Sequence, residues 1–443
     1  ISACLVGSEM CIRDRYMTTD ILVLGAGMVG VSTALALRQR GHRVLLVDRK
    51  SPGRETSYGN AGMIQREAVM PYAFPRDWRA LWRVALGQGN DVHYHLRAMP
   101  ALLPRLARYW MNSAPKAYAP VAQAYSQLIA HCLSEHEAWI GAADAGDLVQ
   151  RQGWLQGYRT PALFDAARAQ AQAVAQAHGL AVDMLEGPAL SAALPGLRGG
   201  LLAGAVHWKD PWSVSDPGEL VERYAALFLR MGGQFKPGDA STLRQDGNGW
   251  SVQTADGRVE AQHAVLALGP WADAATRALG YRLPLFIKRG YHRHYAMDRP
   301  LRLPLLDTEQ GVMLAPMKRG LRLTTGAEFA ALDAPATPVQ LAQAERSTRQ
   351  LFELGAGVEP QPWLGARPCT VDMKPVIGAA PRHAGLWFNF GHAHQGFTLG
   401  PASGRLLAEL IGGEAPYVDP APFSPRRFLS LIHISEPTRQ AEI

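Results

Sequence analysis

Cysteine is scarce in this sequence, which has four cysteines in 443 residues. Two of them, Cys132 and Cys369, lie within residues 17–428, far apart and outside any Cys-x-x-Cys or Cys/His ligand spacing. We therefore predict no disulfide framework, no metal site and a reducing, cytoplasmic compartment. The sequence also lacks internal repeats, low-complexity tracts and nucleic-acid-binding modules, so the expected partner is a small molecule and not a nucleic acid.

Long hydrophobic runs are also rare. The uncharged stretch over residues 21–37 has 17 residues, which is short for a membrane-spanning helix, and three glycines interrupt it. Residues 1–16 lack the basic start, apolar centre and cleavage site of a secretory signal. We expect residues 1–16 and 429–443 to be non-native or disordered flanks, and we leave them out of the fold prediction.

The remaining composition is that of a globular protein. With 47% hydrophobic residues, the chain can fill the cores of two domains. Its formal net charge of +7 is spread evenly, except around one predicted helix in which Trp78, Leu81, Trp82 and Ala85 share a face. The arginines around this face are Arg76, Arg79, Arg83, Arg97, Arg105 and Arg108. Such a face either lies on an anionic membrane or packs within the protein, and the sequence leaves both interpretations open.

Glycines occur where a nucleotide-binding turn needs them. The apolar residues 21–24 run into Gly25, Gly27 and Gly30, and a predicted helix and a second strand ending at Asp48 follow. In such a unit the first glycine allows the tight turn, the second lets the backbone approach a pyrophosphate, and the third lets the helix pack on the strand. The helix start faces the phosphates, and Asp48 is placed to bind ribose hydroxyls. The pattern predicts a dinucleotide without distinguishing NAD from FAD.

A second loop of small and hydroxyl-bearing residues follows at positions 55–64. Its Glu-Thr-Ser-x-x-Asn-Ala-Gly pattern resembles the D-amino-acid oxidase superfamily, and in particular the bacterial D-amino acid dehydrogenases. The resemblance implies FAD as the cofactor. The cofactor contacts that we predict in this part of the chain are Gly25, Gly27, Gly30, Asp48, Arg49, Thr56, Ser57, Asn60, Ala61, Gly62 and Met63.

Two C-terminal blocks extend the resemblance. Residues 363–378 resemble the Gly-Leu-Arg-Pro-x-Thr-x-Asp-x-x-Pro-x-Ile-Gly block of the superfamily, and residues 386–401 resemble its Gly-His-Gly-x-x-Gly-x-Thr block. The resemblance implies that Arg367 anchors the substrate carboxylate, which a guanidinium can hold bidentately. It also implies that the second block covers the pyrimidine end of the flavin, where helix-start amides stabilise negative charge. We predict flavin contacts from Gly391, His394, Gln395, Gly396 and Thr398, and a catalytic role for His392.

Other positions refine these expectations. The apolar strand that precedes Gly269 and Trp271 resembles the superfamily strand that lies against the dinucleotide, so both residues are predicted cofactor contacts. His394 stands where several superfamily amine oxidases carry Arg, so a second carboxylate contact is not implied. Cys369 is offset by four from the position at which some members attach flavin, so we expect non-covalent FAD.

Residues 288–291 resemble the Lys-Gly-Tyr turn of the dehydrogenases, which introduces a substrate-facing strand. Tyr291 is therefore predicted either to offer a catalytic, substrate-pocket hydroxyl or to be a half-buried aromatic of the strand.

The implied fold is α/β, or α+β overall, of the glutathione-reductase-like type. It consists of a discontinuous Rossmann-type FAD-binding domain, residues 17–75, 213–275 and 359–428, and an inserted mixed-sheet substrate domain, residues 76–212 and 276–358.

The implied reaction is the oxidative deamination of D-amino acids to 2-oxo acids and ammonia, by hydride transfer from the α-carbon to flavin N5. A quinone or an electron-transfer chain would receive the electrons, and the protein would be cytoplasmic or peripheral on the inner membrane. No acid–base residue is predicted, since an amine that enters neutral needs none. Three alternatives remain: an oxygen-using oxidase of glycine or sarcosine, an NAD-dependent enzyme, and a non-catalytic flavin-binding module. The oligomeric state is not predicted.

Overall fold

The computed structural model describes residues 17–78, 81–82 and 90–431. The expected flank 1–16 and residues 432–443 of the other flank lie outside the described residues, as do Arg79, Arg83 and Ala85 of the predicted Trp/Arg-rich helix. In the part that is described, we find no helix with the length and hydrophobicity needed to span a bilayer.

The strands of the described residues, in chain order, are β1 (Met17–Leu24), β2 (Val44–Asp48), β3 (Met63–Ile64), β4 (Val92–Tyr94), β5 (Val149–Gln150), β6 (Trp154–Tyr158), β7 (Val182–Leu185), β8 (Gly204–Trp208), β9 (Trp212–Val214), β10 (Gln234–Asp246), β11 (Gly249–Thr254), β12 (Gly257–Leu266), β13 (Leu285–Tyr295), β14 (Leu305–Asp307), β15 (Val312–Met317), β16 (Gly320–Thr324), β17 (Ala327–Phe329), β18 (Trp363–Thr370), β19 (Val376–Ala379) and β20 (Leu386–Phe390). The helices are α1 (Met28–Gln39), α2 (Met99–Asn112), α3 (Pro115–Ala130), α4 (Cys132–Ala142), α5 (Pro161–His178), α6 (Gly187–Ala193), α7 (Pro217–Arg230), α8 (Ala272–Ala278), α9 (Val339–Leu351) and α10 (Gly396–Gly412).

The first sheet grows from the unit that the glycine pattern predicts. Strands β1 and β2 pair in parallel with α1 between them in the chain, and the parallel order is β10-β2-β1-β12-β20. Strand β19 adds antiparallel to β20, and β11 joins β10 and β12 by antiparallel pairing. Residues 21–24 of β1 are fully buried because both faces of the sheet are covered, which explains an apolar run in place of an alternating pattern.

The second sheet is mixed. Its strands follow the order β4-β17-β13-β16-β15-β14-β6-β8-β7, and β18 pairs with β13. The pairs β4–β17 and β14–β6 are parallel, while β13 and β18 run antiparallel. A largely parallel first sheet covered by helices, together with a mixed second sheet, confirms the predicted fold class.

One segment contributes to both sheets. Strand β18 belongs to the second sheet, while β19 and β20 return to the first. The range 359–428, which we predicted to belong to the FAD-binding domain, therefore begins with a strand of the second sheet. The division into two domains remains our proposal, and the chain passes from the second sheet to the first after β18.

The helices α1 and α10 pack closely beside the first sheet. A Cβ atom at Gly400 would lie 2.6 Å from Met28 Cγ, and one at Gly404 would lie 2.8 Å from the carbonyl carbon of Ser32. The two glycines therefore allow a backbone approach that a side chain would prevent.

The described part of the Trp/Arg-rich face is open to solvent. The side chains of Trp78 and Trp82 are 63% and 60% exposed, and Leu81 lies against the large cavity described below. For these two tryptophans, the interpretation as an internal packing face is wrong.

Candidate active site

The turn after β1 has the geometry of a phosphate-binding turn. Gly25 has φ +108°, and a Cβ atom there would lie 2.4 Å from the carbonyl oxygen of Ala267. A Cβ atom at Gly30 would lie 1.7 Å from the carbonyl oxygen of Gly25, whereas at Gly27 it would meet only Ser57 Oγ, at 3.2 Å. Gly25 and Gly30 thus allow close packing of the turn against neighbouring backbone, while the space beside Gly27 on the cavity side is open to a ligand.

Side chains tie this turn to its neighbours. The Met28 amide at the start of α1 donates to Ser57 Oγ at 2.9 Å. Asp48, at the end of β2, accepts the Ala26 amide through Oδ2 at 2.6 Å. Arg49 lies over the indole of Trp271, 4.2 Å from the ring centre. The predicted nucleotide contacts on β2 and after β12 therefore meet at one edge of the first sheet.

A single cavity of about 1000 Å³ runs along this edge and reaches the second sheet. The predicted site residues that line it are Gly25, Gly27, Asp48, Arg49, Thr56, Ser57, Asn60, Ala61, Met63, Gly269, Trp271, Tyr291, Arg367, Gly391, His392, His394 and Gly396. Four predicted cofactor contacts, Gly30, Gly62, Gln395 and Thr398, do not line it. The structure thus brings the two N-terminal loops and the C-terminal loop to one cavity.

The four residues outside the lining support residues that belong to it. Thr398 Oγ1 donates to the Met63 carbonyl at 3.2 Å, and Gln395 Nε2 donates to Gln65 Oε1 at 2.8 Å. Gly62 has φ +70°, and a Cβ atom there would lie 2.3 Å from the Val214 carbonyl oxygen. Gly30 likewise packs against the Gly25 carbonyl, so all four residues support the cavity wall, and their assignment as cofactor contacts remains a prediction.

The loop at 55–64 is fixed from the second sheet as well. Arg322 of β16 is buried and donates to the carbonyl oxygens of Tyr58 and Asn60. Asn60 Oδ1 accepts the Gly62 amide at 2.8 Å, and Thr56 Oγ1 donates to the Ala366 carbonyl of β18 at 3.2 Å. This loop therefore keeps a fixed position between the two sheets.

The histidines of the C-terminal loop are neutral at pH 7. Burial lowers the pKa of His392 to about 3, and its Nε2 has no hydrogen-bond partner among the described residues. Burial and the nearby cations Arg367 and Lys288 lower the pKa of His394 to about 3. The His394 ring stands edge-on to Tyr72, with ring centres 4.7 Å apart. Both histidine rings line the cavity and add no charge to it.

Arg367 lines the cavity from β18. Its guanidinium crosses Gly290, where a Cβ atom would be 2.8 Å from Nη2. Nη1 donates to the Gly326 carbonyl at 3.1 Å and Nη2 to the Thr325 carbonyl at 3.4 Å. Within the described residues no carboxylate forms an ion pair with it, and burial lowers its pKa. The charge is therefore held in place and lacks an anion.

Lys288 is a site residue to which the sequence analysis assigned no role. It lies directly opposite Arg367 in the β13–β18 register and also lines the cavity. Its ammonium lies 4.7 Å from the ring centre of Tyr109, 5.6 Å from Phe286 and 6.0 Å from Phe329. The signal available in the sequence was a lysine at the end of the apolar run Leu-Phe-Ile of one strand.

Tyr291 has a different environment from the predicted substrate hydroxyl. Its Oη lies 3.1 Å from both carboxylate oxygens of Glu328 and accepts the Thr337 amide at 2.7 Å. Glu328 is also paired with the buried Arg289, at 2.6 Å. Strand alternation explains the difference, because Arg289 and Tyr291 point to one face of β13 and Lys288 to the other. The Tyr291 hydroxyl is thus engaged within the protein.

The residues present fit a dinucleotide flavin. Gly27 leaves room for a pyrophosphate, and the starts of α1 and α10 both border the cavity. The volume of about 1000 Å³ is at the upper end of the usual range for small-molecule sites, as a large cofactor with a substrate requires.

A family model described as "DAO: FAD dependent oxidoreductase" matches residues 20–410. The chain belongs to this family. As a member it is an FAD-dependent oxidoreductase with the fold of the family, in agreement with the resemblance found in the sequence.

Individual members of the family are similar over nearly the whole chain. A D-amino acid dehydrogenase of Cereibacter sphaeroides is 32% identical over 435 residues, covering 93% of this chain and 95% of its own. A D-amino-acid oxidase of Bradyrhizobium diazoefficiens is 28% identical, covering 92% of this chain and 99% of its own. The crystal structure of glycine oxidase from Geobacillus kaustophilus matches with a TM-score of 0.69 at 22% identity, over 92% of this chain and 98% of its own, and supports the fold alone.

Proposed function

We propose that this protein is a D-amino acid dehydrogenase that converts D-amino acids to 2-oxo acids and ammonia. The observation that carries the proposal is the Arg367 guanidinium, which is fixed by two carbonyl oxygens at the cavity end and has no carboxylate partner among the described residues. A planar guanidinium binds a carboxylate through two parallel hydrogen bonds. The 32% identity to a D-amino acid dehydrogenase supports the same substrate class.

The protein's contribution to the reaction is to position the substrate. FAD, which Gly25, Gly27 and Ser57 would hold through the phosphate turn, would supply the redox chemistry by which the α-carbon is oxidised. Arg367 holds the carboxylate, and its bonds to Thr325 and Gly326 fix the plane of the guanidinium, which orients the α-carbon. His392 and His394 are neutral, so they do not compete with Arg367 for the carboxylate. The amine enters in its neutral form, and no side chain is assigned to remove its proton.

FAD is bound without a covalent link in this proposal. The two cysteines of the described part, Cys132 and Cys369, are both buried. Neither lines the large cavity, and the Cys369 thiol donates to the Arg367 carbonyl at 3.7 Å. Denaturation in acid would release all of the yellow chromophore into the supernatant. Colour retained by the precipitated chain would contradict this part of the proposal.

We further propose that a membrane quinone accepts the electrons and that the protein binds the cytoplasmic face of the inner membrane. The support is the segment from Met70 to Met111, whose described residues combine exposed apolar side chains with arginines. Within it, Arg76 lies 3.9 Å from the ring centre of Trp110 on α2. The exposed apolar residues are Met70, Tyr72, Trp78, Trp82, Leu96, Leu103, Trp110 and Met111. The arginines are Arg76, Arg97, Arg105 and Arg108. Aromatic and basic residues together bind anionic lipid surfaces.

Vesicle flotation tests this surface. The protein should float with vesicles that contain phosphatidylglycerol and remain at the bottom with vesicles of phosphatidylcholine alone, and replacement of Trp78 and Trp82 by serine should reduce flotation. Equal flotation of the wild type and the double variant would contradict the assignment.

The decisive test of the activity is an anaerobic titration of the flavin absorbance. D-Alanine, D-proline, L-proline, glycine and sarcosine are added in turn, and we expect the D-amino acids to bleach the flavin. Bleaching by glycine or sarcosine alone would replace the proposal with an amine oxidase, and no bleaching by any of them would indicate a binding module. Reoxidation by oxygen and by a soluble quinone is then compared in a stopped-flow instrument, and faster reoxidation by oxygen would contradict the dehydrogenase assignment.

A further inference from the structure

Two cations lie side by side in the lining of the large cavity. Lys288 and Arg367 are opposite each other in antiparallel strands, and such pairs place their Cβ atoms about 5 Å apart on the same face of the sheet. Burial and the charge of Arg367 lower the pKa of Lys288. Lys288, Arg367 and His394 line the same two neighbouring cavities.

No acidic residue of the described chain forms an ion pair with either cation. The sequence of the two undescribed internal stretches, 79–80 and 83–89, contains no Asp or Glu. The Lys288 ammonium has instead a Tyr109 hydroxyl at 3.4 Å and three aromatic rings within 6.0 Å. Aromatic faces stabilise an ammonium, and they leave its net charge in place.

A ligand with a single carboxylate would neutralise only one of the two cations, Lys288 and Arg367. Two enclosed cations without counter-ions repel each other and lose hydration, so the arrangement is stable when a ligand brings two negative charges. A side cavity of about 30 Å³ is lined by both residues and shares Lys288, Arg367 and His394 with the large cavity. This volume equals the space of about one water molecule, which suits a small polar group and not a long side chain.

We propose that the substrate is a dicarboxylic D-amino acid, such as D-aspartate or D-glutamate, with Arg367 on the α-carboxylate and Lys288 on the side-chain carboxylate. This inference rests on the proposed function and names its substrate class. Lys288 is the residue that determines specificity, because it supplies the second charge while the α-carboxylate contact is common to all amino acids.

The first experiment is an anaerobic titration of the holoenzyme with D-aspartate, D-glutamate, D-asparagine, D-glutamine and D-alanine. We expect half-maximal bleaching at concentrations at least about tenfold lower for the acids than for their amides, as one charge-assisted contact provides. In Lys288→Met this preference should disappear, because the methionine keeps the length of the side chain and removes the charge. Lys288→Arg should retain most of the preference, and Lys209→Met, which removes an exposed lysine paired with Asp183, should behave as the wild type.

The second experiment measures binding without turnover. Succinate and glutarate are compared with propionate and butyrate as ligands that perturb the flavin spectrum. In the wild type and in Lys288→Arg, we expect the dicarboxylates to bind at least about tenfold more tightly than the monocarboxylates. In Lys288→Met, we expect both kinds of ligand to bind equally.

The outcomes separate this inference from the proposed function. If D-alanine bleaches the flavin as readily as D-glutamate and dicarboxylates show no advantage, the dianion site is overturned and the dehydrogenase proposal stands. If no amino acid bleaches the flavin while dicarboxylates still bind in a Lys288-dependent manner, the dehydrogenase proposal fails and the dianion site stands. Should Lys288→Met fail to fold, the wild-type preference and the Lys288→Arg variant decide between these results.

Discussion

Two glycines of the phosphate turn should respond differently to the same substitution. Gly27 has φ −77°, which alanine adopts without strain, and the new methyl group would meet only the Ser57 hydroxyl at 3.2 Å. Gly30 lies within α1, and its methyl group would lie 1.7 Å from the Gly25 carbonyl oxygen. Gly27→Ala therefore changes the space that a ligand needs, whereas Gly30→Ala changes the protein itself.

The contacts give an expected size for each effect. Relief of the collision at Gly30 requires a backbone shift of more than 1 Å, and overpacking of this kind costs about 3 kcal/mol or more. The better helix propensity of alanine returns about 1 kcal/mol, which leaves a net destabilisation of about 2 kcal/mol or more for the apoprotein. At Gly27 the methyl group opposes the pyrophosphate, so the cost of about 1–3 kcal/mol falls on FAD affinity, a loss of roughly 5- to 150-fold.

The assay has two readouts on protein stripped of flavin. Thermal unfolding of the apoprotein measures stability, and quenching of flavin fluorescence measures FAD affinity. We expect Gly27→Ala to keep the melting temperature and lose affinity, and Gly30→Ala to lose several degrees of melting temperature. Gly141→Ala, at a helical position with no atom within 4 Å of the added methyl group, is the matched control; it should leave FAD affinity unchanged and should raise the melting temperature slightly through helix propensity. Undiminished FAD affinity in Gly27→Ala would refute the placement of the pyrophosphate at this turn.

Three further predictions follow from single contacts. Arg367→Lys removes the two parallel hydrogen bonds that a guanidinium offers to a carboxylate, so half-maximal bleaching should need about 10- to 100-fold more amino acid. The spectrum of the bound flavin should not change. Loss of flavin with normal substrate affinity would contradict the role of Arg367. Glu328→Gln leaves the buried Arg289 without its counter-ion, so the free energy of unfolding in urea should fall by about 3 kcal/mol, and an unchanged value would mean that the pair contributes nothing. Burial raises the pKa of Glu67 from 4.5 to about 7. Between these two pH values the carboxyl group is protonated in the folded state and ionised in the unfolded state, so the free energy of unfolding should fall by about 3 kcal/mol as the pH rises from 4.5 to 7. Glu67→Gln should remove this decline, and identical pH profiles of unfolding would show that the carboxyl group is not perturbed.

Local patterns were sufficient to predict the β1–α1–β2 unit of the first sheet and the phosphate turn that borders the cavity. The spacing of Gly25, Gly27 and Gly30 between two apolar strands fixes a unit whose geometry depends on neighbouring residues in the chain. The structure places these residues, with Asp48, where the prediction had them. The position of Arg367 at the cavity came from the family resemblance.

Properties that depend on strand pairing were not predictable from the sequence. The facing of Lys288 and Arg367 follows from the register of β13 and β18, strands that lie about 80 positions apart in the chain. Tyr291 lines the cavity, as its motif indicated, but the contact of its hydroxyl with Glu328 of β17 depends on the pairing of β13 with β17 and was not predictable. Gln395 and Thr398 lie within the correct loop, and only the fold shows that their side chains point to Gln65 and Met63.

The glycine contact between α1 and α10 has a consequence for cofactor choice. No side chain separates these helices at Gly400 and Gly404, so neither can slide along the other without a backbone collision. The helices begin at Met28 and Gly396, and both starts open onto the cavity. The packing of these helices therefore fixes the distance between the phosphate turn and the loop that carries His392. A flavin mononucleotide lacks the adenylate half and would leave the part of the site at Asp48 unoccupied. We therefore expect that it does not replace FAD in the apoprotein.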